Sequence, residues 1–186
     1  MVNDTISEVG EYESLFTKAR LCVGRVGNFV SRFYREEPTI RLRRIYKQPD
    51  DYSCGATSLK TLMEHYDQEA DLDDLIKRSQ TTKQGTPIEN LALVAEQFGF
   101  RTVVKRDASI VNLERSLRSG RIPLVGYLVM DEDTPDPHYS LVLEVRKQEV
   151  LIADSRTGST YTVGINEFLK GWGNDKPPWT MMTIRR

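Results

Sequence analysis

The chain is poor in the side chains that build disulfide or metal frameworks. Its 186 residues include two cysteines, Cys22 and Cys54, and two histidines, His65 and His138. Two cysteines allow one bridge at most, which excludes a disulfide scaffold. So few soft ligands argue against a structural zinc site of the usual cysteine/histidine kind. Reduced thiols in a cytosolic compartment are the simplest reading. An excess of one charge sign is lacking too. Twenty-six Lys and Arg against 27 Asp and Glu leave a formal net charge of -1, so there is no bulk basic surplus for binding nucleic acid. No apolar run approaches the length of a membrane span. The start, Met1-Val2-Asn3-Asp4-Thr5, lacks the basic region and apolar core of a secretory signal. Fixed-period repeats and low-complexity tracts are also missing.

What remains is ordinary globular composition, 39% apolar and 28% charged. The length suggests one domain with an appendage, enough to bury a core without staples. After a polar lead over residues 1–11, apolar residues recur at helical spacing from Tyr12 to Tyr34. They run through Leu15, Phe16, Ala19, Cys22, Val23, Val26, Phe29, Val30 and Phe33. That period predicts an amphipathic helix, weakened by Gly24 and Gly27 by roughly 1 kcal/mol each relative to alanine. The stripe predicts docking on the main core. The basic residues Lys18, Arg20, Arg25 and Arg32 leave a partner-protein contact or a membrane-surface role as the alternative. Glu36-Glu37-Pro38 ends the helix. The chain thus divides into a helical extension, residues 1–37, and a main domain, residues 38–186.

Within the main domain, Thr39–Tyr46 alternates apolar and basic residues and reads as a strand or an extended arm. Gln48-Pro49-Asp50-Asp51 signals a turn. Helices are expected over Cys54–Tyr66, Leu72–Ser79, from Thr86 to about Phe98, over Ser109–Ser119 and over Asn166–Trp172. Thr86-Pro87-Ile88-Glu89 reads as a capping box with proline at the first helical position. Strands are expected over Arg101–Lys105, Ile122–Met130, Tyr139–Val145, Val150–Asp154, Thr160–Val163 and Trp179–Ile184. Helices first and strands last predict an α+β fold, with the N-terminal helices packed on a C-terminal antiparallel sheet.

The chemistry concentrates near Gln48-Pro49-Asp50-Asp51-Tyr52-Ser53-Cys54-Gly55-Ala56. Cys54 opens a predicted helix just after a turn. A helix N-terminus favours an anion through its free N–H groups and dipole, and the thiolate is the attacking form of cysteine. Ser53 is a candidate N-cap, and Gly55 would let the backbone approach a substrate closely. The bland alternative is a buried core cysteine. A nucleophilic cysteine needs a base. His65 lies 11 residues along the same helix, about 16 Å away at 1.5 Å per residue, which makes it a surface or rim histidine. His138 remains, at the start of the apolar strand Tyr139-Ser140-Leu141-Val142-Leu143. With a turn at Arg146-Lys147-Gln148, residue 138 falls across from residues 154 to 156, and cross-strand neighbours lie roughly 5 Å apart. Asp154 can therefore reach His138, fix its tautomer and stabilise the imidazolium. Asp136 is the less well aimed alternative, and a turn-capping role is the bland reading of Asp154. Gln48, six residues before Cys54, could join the Cys54 backbone N–H in an oxyanion hole.

These elements together resemble a known family. Gln-x5-Cys-Gly-Ala before an aliphatic helix, a Gly-Thr loop before a second helix, His-Tyr-x-x-Val, an apolar strand ending in aspartate before Thr-Gly, and Glu-Phe-Leu near a tryptophan look like the bacteriocin-processing, double-glycine-leader cysteine peptidases of the papain-like superfamily. The similarity runs from about Ile45 to Trp172 and is greater to their stand-alone relatives, which lack a transporter. It implies a papain-like fold, with Gln48 as oxyanion donor, Cys54 as nucleophile, His138 as base and Asp154 as orienter. It also implies a thiol protease of the cytoplasm that hydrolyses a peptide or isopeptide bond, after Gly-Gly, in a peptide or protein substrate, with no cofactor. Two departures stand out: Ser155 follows Asp154 where the family usually has proline, and Tyr12–Tyr34 has no counterpart in the minimal domain. A peptide-binding module without turnover and a thioester-forming transferase or amidase are the alternatives.

Overall fold

A computed structural model describes residues 39–130, 135–175 and 178–186 of the chain. The expected helix Tyr12–Tyr34, Cys22 and the boundary near residue 37 lie outside the described residues. Among the described residues are five helices and six strands. They follow in the order α1 (Cys54–His65), α2 (Leu72–Arg78), α3 (Ile88–Gln97), β1 (Arg101–Lys105), α4 (Ile110–Arg118), β2 (Leu124–Met130), β3 (Pro135–Val145), β4 (Glu149–Asp154), β5 (Ser159–Gly164), α5 (Ile165–Asn174) and β6 (Met181–Arg185). The strands form one sheet in the order β1-β6-β2-β3-β4-β5, every neighbouring pair antiparallel.

The alternation of side chains across the strands gives the sheet two apolar faces. Leu141, Leu143 and Ala153 join Ala56, Leu59, Leu62 and Leu91 from α1 and α3 in one core. Val142, Val150 and Ile152 join Leu113, Leu117, Phe168 and Trp172 from α4 and α5 in the other. The expected α+β architecture is present, with α4 and α5 as a second layer behind the sheet. Trp172 and Phe168 are fully buried, and truncating either to alanine should destabilise by about 3–5 kcal/mol.

Local chemistry explains how several elements start. Asp71 caps α2 by accepting from the Asp74 N–H at 3.0 Å. At α4 the Ser109 N–H donates to Asn112 Oδ1 at 2.9 Å. The capping box expected at Thr86 does not form. Pro87 takes the N-cap position in an extended conformation with no side-chain cap bond, because the Thr86 hydroxyl is engaged by Thr81 Oγ1 at 2.6 Å. Thr39–Tyr46 is an extended arm rather than a strand, tied to β3 by the Ile40 N–H donating to the Leu143 carbonyl at 3.2 Å. β3 begins at Pro135, so His138 lies within the strand instead of opening it.

The β3–β4 pair is interrupted by a bulge between Val142 and Glu144. On one side of it Val145 pairs with Val150; on the other, Ser140 pairs with Asp154.

Candidate active site

α1 is held against β3 next to His138. A Cβ added at Gly55 would stand 3.0 Å from Tyr139 Cδ2 and 3.1 Å from Leu91 Cδ1, so only glycine allows this fit without displacing its neighbours. Gly55 therefore serves close packing on Tyr139, where the sequence suggested close approach of a substrate. Ser58 Oγ adds a bond to the Tyr139 carbonyl at 3.3 Å. Both contacts fix the first turn of the helix, and with it Cys54, relative to the residue that follows His138.

Cys54 is the first residue of α1 and is free and buried. Ser53 occupies the N-cap position, but its side chain makes no cap bond and its buried Oγ has no hydrogen-bond partner. Asp50 organises the approach instead: its Oδ1 accepts from the N–H groups of Tyr52 at 3.0 Å and Ser53 at 2.7 Å. The helix start is thus not closed by a side chain, and its first N–H groups are available to an anion.

His138 Nε2 lies 2.6 Å from Asp154 Oδ1, and the two residues are each 3% exposed. That bond leaves Nδ1 of the ring for the Cys54 sulfur, the second hydrogen-bonding partner of the imidazole. Burial works against the charged ring. The bonds to Asp154 and Cys54 outweigh it and push the His138 pKa up from 6.5 to about 9. Burial likewise works against the Asp154 carboxylate, but the His138 bond and charge and the Arg156 backbone N–H hold it below the ordinary value.

Asp154 also fulfils the turn-capping role read from the sequence. Its Oδ1 accepts from the Arg156 N–H at 2.7 Å, and its carbonyl accepts from the Gly158 N–H at 2.9 Å. Gly158 has φ +69°, the left-handed conformation that a turn here requires. Asp136 stands apart, at the surface, accepting from Arg156 Nη2 at 2.8 Å. His65, as expected, is away from this cluster. It lines a separate concavity of about 360 Å³ with Arg43, Arg44 and Gln68.

Gln48 is stitched to the turn after β4. Its backbone N–H donates to the Ser155 carbonyl at 2.8 Å, and its Nε2 donates to the Asp50 carbonyl at 2.6 Å. Its Oε1 accepts from Ser155 Oγ at 2.9 Å. Four residues chosen from sequence therefore fall into two bonded groups: His138 with Asp154 and Cys54, and Gln48 with the residue after Asp154.

Sequence reasoning missed the walls. Tyr127 sits opposite His138 in the β2–β3 register, edge-on to the imidazole at 6.5 Å between centroids. Its hydroxyl meets that of Tyr161 at 3.0 Å, and its ring packs on Phe168 of α5. Burial, followed by contacts with Tyr127 and Asp154, raises the Tyr161 phenol above its ordinary value. The alternation of β2 and β5 could have put both tyrosines on the face of Asp154, but only with the register known. Among the described residues no three His, Cys, Asp or Glu side chains converge to hold a metal. No helix there is long and apolar enough to cross a membrane.

A buried thiol at a helix start, facing an imidazole and carboxylate on an antiparallel sheet in an α+β domain, places this protein among the papain-like cysteine peptidases. The sequence profile of the Peptidase C39 family matches residues 43–175, and the chain belongs to that family. The lactococcin-G-processing and transport ATP-binding protein LagD of Lactococcus lactis is 25% identical over 131 residues, which cover 70% of this chain and 18% of that protein. The chain therefore spans under a fifth of the length of this relative. Two solved structures share the fold. One is the peptidase domain of Streptococcus ComA, a bifunctional ABC transporter, with TM-score 0.62, 18% identity, and 76% and 96% of the two chains covered. The other is a double glycine motif protease from an AMS/PCAT transporter, in complex with the leader peptide, with TM-score 0.61, 15% identity, and 77% and 92% covered.

Proposed function

We propose that this cysteine peptidase cleaves a peptide or isopeptide bond after Gly-Gly in a peptide or protein substrate. Cys54 is the nucleophile, His138 the base and then the acid, Asp154 the orienter and Gln48 the oxyanion donor. The observation that carries the reading is the buried 2.6 Å bond between His138 Nε2 and Asp154 Oδ1, with the Cys54 sulfur at the other ring nitrogen. The Gly-Gly preference is supported by likeness to a double glycine motif protease whose structure holds a leader peptide. A thiol that must stay reduced suits the cytoplasm. We propose residues 1–37 as an extension ahead of a peptidase domain over residues 38–186.

The chemistry follows from the arrangement. The Cys54 thiol gives its proton to His138 Nδ1, and the sulfur adds to the scissile carbonyl. The carbonyl oxygen gains a negative charge, met by the Cys54 N–H and one N–H of Gln48 Nε2. The tetrahedral carbon then expels the amine, which takes the proton from His138. Water attacks the thioester, giving a proton to His138, and the Cys54 sulfur leaves. Asp154 keeps Nε2 protonated throughout, so that Nδ1 always faces the sulfur.

Gln48 separates an enzyme from a silent cleft, because an oxyanion donor matters only where charge develops in a transition state. On a peptide with Gly-Gly before the scissile bond, Gln48→Ala should lower kcat by roughly 10²–10³ with little change in KM. Gln48→Glu should be at least as slow. Unchanged kcat in Gln48→Ala would remove Gln48 from the site, and no turnover by the wild type would sink the peptidase reading.

A further inference from the structure

We infer that Ser155 is a positioning residue for the reaction: its hydroxyl locks the carboxamide of Gln48 in the orientation that leaves an N–H for the oxyanion. The inference rests on Gln48 being that donor.

Ser155 is 2% exposed and donates from Oγ to Gln48 Oε1 at 2.9 Å. The other end of the same amide, Nε2, donates to the Asp50 carbonyl at 2.6 Å. A backbone carbonyl only accepts, so the nitrogen must face Asp50 and the oxygen must face Ser155. Two anchored ends fix the plane of the amide, whose terminal torsion is otherwise broad. Nε2 carries two hydrogens. One is committed to Asp50, and the direction of the other is thereby set. An inverted amide would turn an acceptor toward the developing oxyanion, which would repel it.

The Ser155 hydroxyl has no other duty that the structure reveals. The turn it sits in is built by the Arg156 N–H on Asp154 Oδ1 and the Gly158 N–H on the Asp154 carbonyl. The tie between the two segments is made by main chain, from the Gln48 N–H to the Ser155 carbonyl. Removing the hydroxyl therefore leaves the turn and the segment in place and frees only the amide.

The test is a double-mutant cycle with Ser155→Ala, Gln48→Ala and the pair. kcat and KM are measured on a Gly-Gly peptide, per active site counted by Cys54 alkylation, so that misfolded protein does not enter the rate. The pH profile of alkylation is recorded for each variant. Ser155→Ala should lower kcat roughly tenfold, less than the ~10²–10³ for losing the donor itself, with KM within twofold. It should add nothing in the Gln48→Ala background, and its alkylation profile should overlay the wild type. Wild-type kcat in Ser155→Ala, with Gln48→Ala slow, overturns the lock and leaves the peptidase reading standing. Multiplying effects in the pair, or a shifted alkylation profile, also overturn it, since Ser155 would then act on His138 and Asp154. Wild-type kcat in Gln48→Ala overturns the role of Gln48 and the lock with it.

Discussion

His65 and His138 occupy regions that treat the same side chain in opposite ways. His65 closes the C-terminal end of α1, edge-on to Tyr66 at 5.1 Å, and its buried Nδ1 has no hydrogen-bond partner among the described residues. Burial and the nearby Arg43 push its pKa below 6.5, against a weaker pull from Asp67. His138 is the more deeply buried of the two, yet its pKa is raised to about 9, because Asp154 and Cys54 outweigh the burial. Desolvation is therefore common to both, and partners decide the outcome. A helix C-terminus, which favours a cation, does not rescue His65. A base needs neighbours brought from elsewhere in the fold.

The largest effect expected on this contrast comes from removing the proposed nucleophile or its base. Cys54→Ala and His138→Ala should each lower kcat/KM by about 10⁴ or more, while His65→Ala should stay within about twofold, as expected of a residue away from the reacting groups. A His65 variant as slow as the His138 one would erase the difference between the two regions.

The carboxylates give the next contrast. Asp154→Asn should keep the fold and slow turnover by about 10²–10⁴, since an asparagine accepts poorly at the position that sets the tautomer. Asp136→Asn should cost less than about threefold, because its partner is the exposed Arg156 and such surface pairs contribute only ~0–1 kcal/mol. Steady-state kinetics decide between them; a slower Asp136 variant would mean that the carboxylate pairing is misassigned.

The smallest effects are in pH dependence, and the two histidines should carry opposite signs. The His138 pKa is raised in the folded state, so the stability it contributes is complete below 6.5 and is lost as pH rises through about 9. Turnover should fall over the same upper limb as the imidazolium loses its proton. The His65 pKa is lowered in the folded state, so stability is lost as pH falls below 6.5, where the unfolded chain takes up a proton first. Melting temperatures across pH 5 to 10 should show His138→Gln losing its deficit at high pH. His65→Gln should gain over the wild type at low pH. Parallel curves for the two variants would contradict the assignment of their environments.

Much of this was legible in the sequence, and the gaps have physical causes. The helices and strands follow from periodicity, and every predicted strand after residue 100 is present within a few residues of its expected bounds. That Cys54 opens a helix was legible from a turn meeting a helix start, and that Asp154 reaches His138 from hairpin arithmetic. The role of Ser155 was not, because its hydroxyl meets a residue 107 positions away in the chain, and no local signal marks such a pairing. Thr86 misled for the opposite reason. Its local pattern is a good cap, but Thr81 competes for the hydroxyl. Gly55 was read as room for substrate when the neighbour that needs the room is Tyr139.

The bulge in β3 sets a parity. Paired residue numbers sum to 295 on the turn side, as in Val145 with Val150, and to 294 beyond it, as in Ser140 with Asp154. Cross-strand partners share a face, so the one extra residue gives Ser140, and with it His138, to the face of Asp154. Had the ladder run on unbroken, Leu141 would oppose Asp154, and Tyr139 would stand where the imidazole now stands. The odd residue in an apolar strand thus decides whether the carboxylate meets a base or a phenol. A single deletion between Val142 and Glu144 would exchange them without touching any of the four proposed site residues.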